Sequence, residues 1–120
     1  MAALVAAAPG GELHAFGDKG VAAVKLPTLI MFAADDRVVS PQINGLWAYD
    51  GIGSADKALA TFDRGGHTLF MSAFKPHFHE ATALATAFFV AILKGNPADR
   101  AALTPDAVSF PGLTYQTTLH

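Results

Sequence analysis

Residues 28–34, Thr-Leu-Ile-Met-Phe-Ala-Ala, form an uncharged run opened by Pro27 and closed by Asp35-Asp36-Arg37. A strand of that composition has no polar face to offer water, so it must be covered on both sides. That is the situation of a parallel strand sandwiched between helices. Residues 57–62, Lys-Ala-Leu-Ala-Thr-Phe, predict a second strand, and the apolar stretch 2–8, halted by Pro9-Gly10-Gly11, predicts another, buried on both faces. Between and after them lie helical patterns. A loop is expected over 10–20 and a short turn of helix over 21–26. A helix is expected after Pro41, with Ile43, Leu46 and Trp47 on its inner face and the proline in the first turn, where its missing N–H costs nothing. Residues 78–94 predict the strongest helix, with Leu84, Phe88, Ala91 and Ile92 on one face, Gly95 as its stop and Pro97 beyond. The alternation implies an α/β fold of about three parallel strands flanked by helices on both faces. Residues 98–120 are expected to form a short helix near 98–103 and then an irregular segment through Pro111-Gly112.

Of the 120 residues, 52% are hydrophobic and 15% charged, which leaves ample apolar surface to bury and excludes a disordered chain. The mean hydropathy of +0.34 is high for a domain this small, whose surface stays largely exposed to water. The expectation is that apolar faces are covered by something outside the chain, or that the chain is part of a larger fold. A formal net charge of −2 gives no basic excess with which to neutralise phosphates, so nucleic acid is not an expected partner. The chain has no cysteine, which excludes disulfides, thiolate metal sites and a catalytic thiol. No apolar run approaches the ~18–20 residues of a membrane span. The Ala-rich first residues lack the positive segment of a signal peptide and read as a strand instead.

In parallel sheets, chemistry gathers at the carboxyl ends of the strands. Asp35 and Asp36 follow one predicted strand, and Asp63-Arg64-Gly65-Gly66-His67 follows the next. A carboxylate there can fix the tautomer of an imidazole and stabilise its charged form while the imidazole moves protons for a nucleophile. The plainer reading is that the aspartates end a strand and cap a helix, and that His67 is a loop histidine. Three other features stand out in the sequence. His77-Phe78-His79-Glu80 suggests a metal, but on a helix i and i+2 diverge, so an exposed helix start with Glu80 near the dipole is the better reading. Trp47, Tyr49, Phe70, Phe74, Phe78, Phe88 and Phe89 read as core, with Phe70 and Phe74 also placed to line an acyl or leaving-group pocket. The Gly10-Gly11 and Gly65-Gly66 pairs match no phosphate loop.

Leu-Pro-Thr-Leu-Ile-Met-Phe-Ala-Ala-Asp-Asp-Arg-Val-Val-Ser-Pro (26–41), followed by Lys-Ala-Leu-Ala-Thr-Phe-Asp-Arg-Gly-Gly-His-Thr-Leu-Phe (57–70), resembles the carboxyl half of the α/β-hydrolase fold. Within it the chain looks most like the dienelactone-hydrolase-like and platelet-activating-factor-acetylhydrolase-like esterases. The early strand ending in Ala-Ala-Ala-Pro-Gly, Phe16 and the 87–97 helix end also fit. The resemblance covers residues 1–97 and leaves 98–120 as a tail. It implies a catalytic acid at Asp36, with Asp35 the alternative acid and otherwise a solvated neighbour or cap, and a catalytic base at His67. It also implies carboxylic-ester hydrolysis through an acyl-serine, no cofactor or metal, and small or medium-sized esters or lactones as substrates.

The nucleophile of that family sits on a G-x-S-x-G elbow, before the acid and the histidine in chain order. Ser40, Ser54, Ser72 and Ser109 lie in no such motif, and Gly51-Ile52-Gly53-Ser54 only mimics it, between acid and histidine. The oxyanion-hole strand is also without a counterpart. The isolated chain is therefore expected to be inert, or nearly so, as an esterase. Three roles stay open: an enzyme half completed by a complementary N-terminal half, a non-catalytic interaction module that self-associates through a sheet edge, and an incomplete gene product.

Overall fold

A computed structural model describes residues 2–9 and 17–119. Strands β1 (Leu4–Ala7), β2 (Thr28–Ala33), β3 (Lys57–Phe62) and β4 (Leu113–Thr117) form one sheet in the order β1-β2-β3-β4. The first three run parallel, and β4 pairs antiparallel with β3. Helices α1 (Gly17–Ala22), α2 (Trp47–Gly51), α3 (Phe78–Lys94) and α4 (Pro97–Ala101) complete the fold. The expected α/β architecture is present, with the two interior strands at their predicted places.

Strand β2 is buried at every residue, and its alternation divides it between two apolar layers. Leu29, Met31 and Ala33 join Phe62, Leu84, Phe88, Ala91 and Ile92 under α3. Ile30 and Phe32 join Tyr49, Ile52 and Leu59 on the opposite face, where Val21 of α1 and Leu46 also pack. Helix α3 spans the predicted residues and buries the predicted face, with Ala81 added. Gly95 caps it in the left-handed region, and Asn96 then caps α4, its side chain accepting from Ala98 N–H at 2.9 Å.

Several expectations are corrected. Strand β1 lies at the sheet's edge, half exposed, and is not buried on both faces. The turn of helix expected over 21–26 lies earlier, as α1 starts at Gly17 within the expected loop and ends at Ala22. Most of the loop expected over 10–20, with Gly10-Gly11 and Phe16, lies outside the described residues. Residues Pro41–Leu46 wind as a π-helix before α2. The wider winding turns Asn44 and Gly45 inward and leaves Ile43 exposed, so the inner face differs from the one expected. The tail contributes the unanticipated β4, held by the ladder to β3 and by Tyr115 Oη–H donating to Leu103 C=O at 2.9 Å. Of the aromatic residues read as core, Tyr49 and Phe88 are buried, whereas Phe74 is wholly exposed.

Phe88→Ala removes a fully buried ring from the larger layer and should cost about 3–5 kcal/mol of stability. Phe74→Ala, at a fully exposed ring, should stay within about 0.5 kcal/mol. Urea denaturation of both variants checks the contrast.

Candidate active site

Parallel pairing of β2 with β3 sets Ala33 beside Phe62, so the two following turns emerge together at the carboxyl edge. Asp36 lies in the first turn and is almost completely buried. Its Oδ1 accepts Val38 N–H at 2.8 Å and Val39 N–H at 2.9 Å, so the turn folds around its own carboxylate. Its Oδ2 faces His67 Nδ1 at 2.8 Å. A carboxylate only accepts, so Nδ1 carries the proton and Nε2 is the basic nitrogen of the neutral ring. The His67 side chain is 33% exposed against 1% for Asp36, and Nε2 has no partner among the described residues. The imidazole is thus held from behind and open in front.

Burial pushes the Asp36 carboxyl upward, but Val39 N–H, the His67 ring and Val38 N–H together outweigh it and hold the group below its ordinary 3.8. Asp36 is therefore ionised at neutral pH.

The loop that delivers His67 depends on glycine. Gly65 and Gly66 have φ of +133° and +69°, and a Cβ on Gly65 would collide with Leu69. Both glycine N–H groups donate to Asp35, Gly66 at 2.8 Å and Gly65 at 3.3 Å. Asp35, expected as a solvated neighbour or cap, is exposed, yet it bridges the two turns.

The 77–80 segment holds a second pair that sequence reasoning missed. His77 Nε2–H donates to Asp63 Oδ1 at 2.7 Å, and its ring lies against Phe62 and Phe110. The His77 side chain is 11% exposed, so the expected exposed helix start is corrected at this residue. Among the described residues no group of three or more metal-ligating side chains gathers. Phe70 lines an apolar groove of about 260 Å³ with Ala7, Met31, Ala81, Ala85 and Phe89, while Phe74 lines none of the described pockets.

Of the serines, Ser54 Oγ–H donates to Asp56 C=O at 3.0 Å, ahead of β3 and thus at the amino end of that strand, and Ser72 Oγ accepts Phe74 N–H at 3.3 Å. No serine among the described residues bonds to His67.

A largely parallel sheet between two helical layers, with an acid and a histidine leaving adjacent strands at one edge, defines the α/β-hydrolase class. A family model described as "Serine aminopeptidase, S33" matches residues 12–73, just over half of the chain, and the chain belongs to that family of α/β-hydrolases. The match carries the earlier resemblance at the level of the superfamily and does not extend to the dienelactone-hydrolase-like branch. No curated protein matches the chain.

The lowered Asp36 pKa fixes the sign of an acid effect. Where the unfolded chain binds a proton and the folded chain does not, stability rises with pH. The contribution of Asp36 is thus complete above its ordinary value of 3.8 and is lost as pH falls through its lower folded value. Melting temperatures followed from about pH 5 down to about pH 2 should fall less steeply for Asp36→Asn than for the parent.

Proposed function

We propose that this chain supplies the acid and the general base of a serine-type acyl-transfer hydrolase, with Asp36 as the acid and His67 as the base. The Asp36–His67 bond carries the reading: a buried, ionised carboxylate grips Nδ1 and leaves Nε2 open toward solvent. The reaction is carboxylic-ester hydrolysis, with small or medium-sized esters or lactones as substrates. The family name adds peptide bonds as a second substrate class within the same chemistry.

His67 Nε2 would take the proton from an attacking serine hydroxyl as that oxygen adds to the substrate carbonyl. Asp36 would stabilise the imidazolium so formed. Collapse of the tetrahedral intermediate expels the alcohol, to which Nε2 returns the proton. Water then enters by the same route and releases the acid and the serine.

The nucleophile and the oxyanion donors are proposed to come from outside the described residues. The described serines are not presented to His67, and the Gly65 and Gly66 N–H groups already donate to Asp35. A complementary polypeptide bearing a G-x-S-x-G elbow is the partner this chemistry requires. A second reading, a self-associating interaction module, draws on the half-exposed edge strand β1.

The pure chain should hydrolyse p-nitrophenyl acetate no faster than its His67→Ala variant. Joined to the elbow-bearing half of a related serine hydrolase, it should gain turnover that His67→Ala reduces by ~10³-fold or more. Robust His67-dependent turnover by the pure chain would place a nucleophile within it. Turnover in the joined form that is indifferent to both Asp36→Ala and His67→Ala would overturn the reading. A defined oligomer of the inert chain on gel filtration would favour the module.

A further inference from the structure

Asp35 and Asp36 are neighbours in sequence, yet they hold different parts of the same loop. Asp36 Oδ2 takes the His67 ring at 2.8 Å. Asp35 takes the backbone immediately before it, with Oδ1 accepting Gly66 N–H at 2.8 Å and Oδ2 accepting Gly65 N–H at 3.3 Å. Those two glycines have positive φ, a region that glycine enters at no steric cost and also leaves most readily. Nothing in their own side chains can fix the loop, which is held by Leu69 N–H donating to Gly66 C=O at 3.3 Å and by whatever accepts from the two glycine N–H groups. Among the described residues that acceptor, for both N–H groups, is the one carboxylate of Asp35.

We propose that Asp35 is a positioning residue for His67. It pins the Gly65-Gly66 backbone to the turn after β2, so that the imidazole arrives at Asp36 with Nδ1 inward and Nε2 outward. The proposal rests on the acid–base reading of Asp36 and His67 and adds a division of labour to it. One aspartate sets the proton chemistry of the ring, and the other sets where the ring stands. Because the Asp35 bridge uses both N–H groups of the glycine pair, it also withdraws them from binding a developing oxyanion. The glycine pair is thereby committed to shaping the loop. An exposed carboxylate can hold this post because its two bonds go to backbone donors of fixed direction, and charge-assisted bonds of that kind are stronger than neutral ones.

The test uses the ¹⁵N-labelled chain and two spectroscopic readouts, amide exchange at Gly65 and Gly66 and the downfield Nδ1–H resonance of His67. Asp35→Ala should raise Gly66 exchange by about tenfold, the loss of one charge-assisted bond, and should broaden or abolish the His67 resonance while the melting curve stays cooperative. Asp35→Asn retains one acceptor oxygen, so Gly66 exchange and the His67 resonance should lie between those of the alanine variant and the parent. A parent-like His67 resonance in folded Asp35→Ala overturns the proposal. If the alanine variant does not fold, parent-like exchange at both glycines in Asp35→Asn overturns it instead. Asp36→Ala separates this result from the reading beneath it. Loss of the resonance there, together with its persistence in Asp35→Ala, removes the positioning role alone. Persistence in Asp36→Ala removes the acid assignment itself.

Discussion

Strand β2 has to be covered on both faces, and the remainder of the molecule follows from that constraint. Thr28–Ala33 carries no charge and is buried throughout, so a helical layer must lie on each side. The backbone of β2 also needs partners on both edges, which β1 and β3 supply in parallel. Once β2 and β3 run side by side in the same direction, the turns that leave them emerge at one edge. Ionisable groups are costly within the apolar layers, so the aspartates and the histidine lie beyond the ends of the strands. The site is a consequence of where burial ends.

At that edge the same chemistry that ends the strand also prepares the carboxylate. Asp36 is drawn under the surface by the turn it caps, and burial alone would favour its neutral form. Three donors reverse this: two main-chain N–H groups from the turn and the imidazole of His67. The turn therefore does more than reverse the chain. It keeps an acid ionised in a place with little water, which gives that acid leverage over the ring beside it.

Much of this was legible in the sequence, for identifiable reasons. The uncharged run at 28–34 and the mostly apolar run at 57–62 have one comfortable environment, and the apolar spacing of 78–94 has one periodicity, so those elements stand where the pattern puts them. The Asp35-Asp36 pair and His67 were legible as candidates because they follow the ends of adjacent strands, and the resemblance singled out Asp36. What the sequence hid depends on partners far along the chain. Residues 113–117, Leu-Thr-Tyr-Gln-Thr, alternate as a strand does, but the preceding Pro111-Gly112 obscured the signal and their pairing with β3 is long-range. The π-winding at 41–46 inverts an inner face that ordinary helical spacing assigns to Ile43. The Asp35 bridge was hidden because its acceptor and donors lie 30 and 31 positions apart and the donors are backbone groups, which leave no trace in composition.

The second histidine–carboxylate pair has the same groups in a different setting. His77 bonds Asp63 through Nε2, the outer nitrogen, which leaves Nδ1, the one beside its own main chain. Its ring is enclosed by Phe62 and Phe110. A side chain at Gly112, in the turn before β4, would press on both Asp63 Oδ1 and His77 Nε2, so that turn is packed directly over the pair. His77 also sits at φ 65°, an uncommon value for a residue with a Cβ, held there by the start of α3. The ring is mostly buried although Asp63 is exposed, and the bond ties the end of β3 to the head of α3 beside the turn before β4. His67 has the opposite arrangement: the inner nitrogen is bound, the outer one is free, and a third of the side chain meets solvent. The two pairs contain the same groups at nearly the same separation. Which nitrogen the carboxylate takes, and how far the ring meets solvent, is the difference on which the proposed role of His67 rests, with His77 set to fasten the end of β3 to the head of α3.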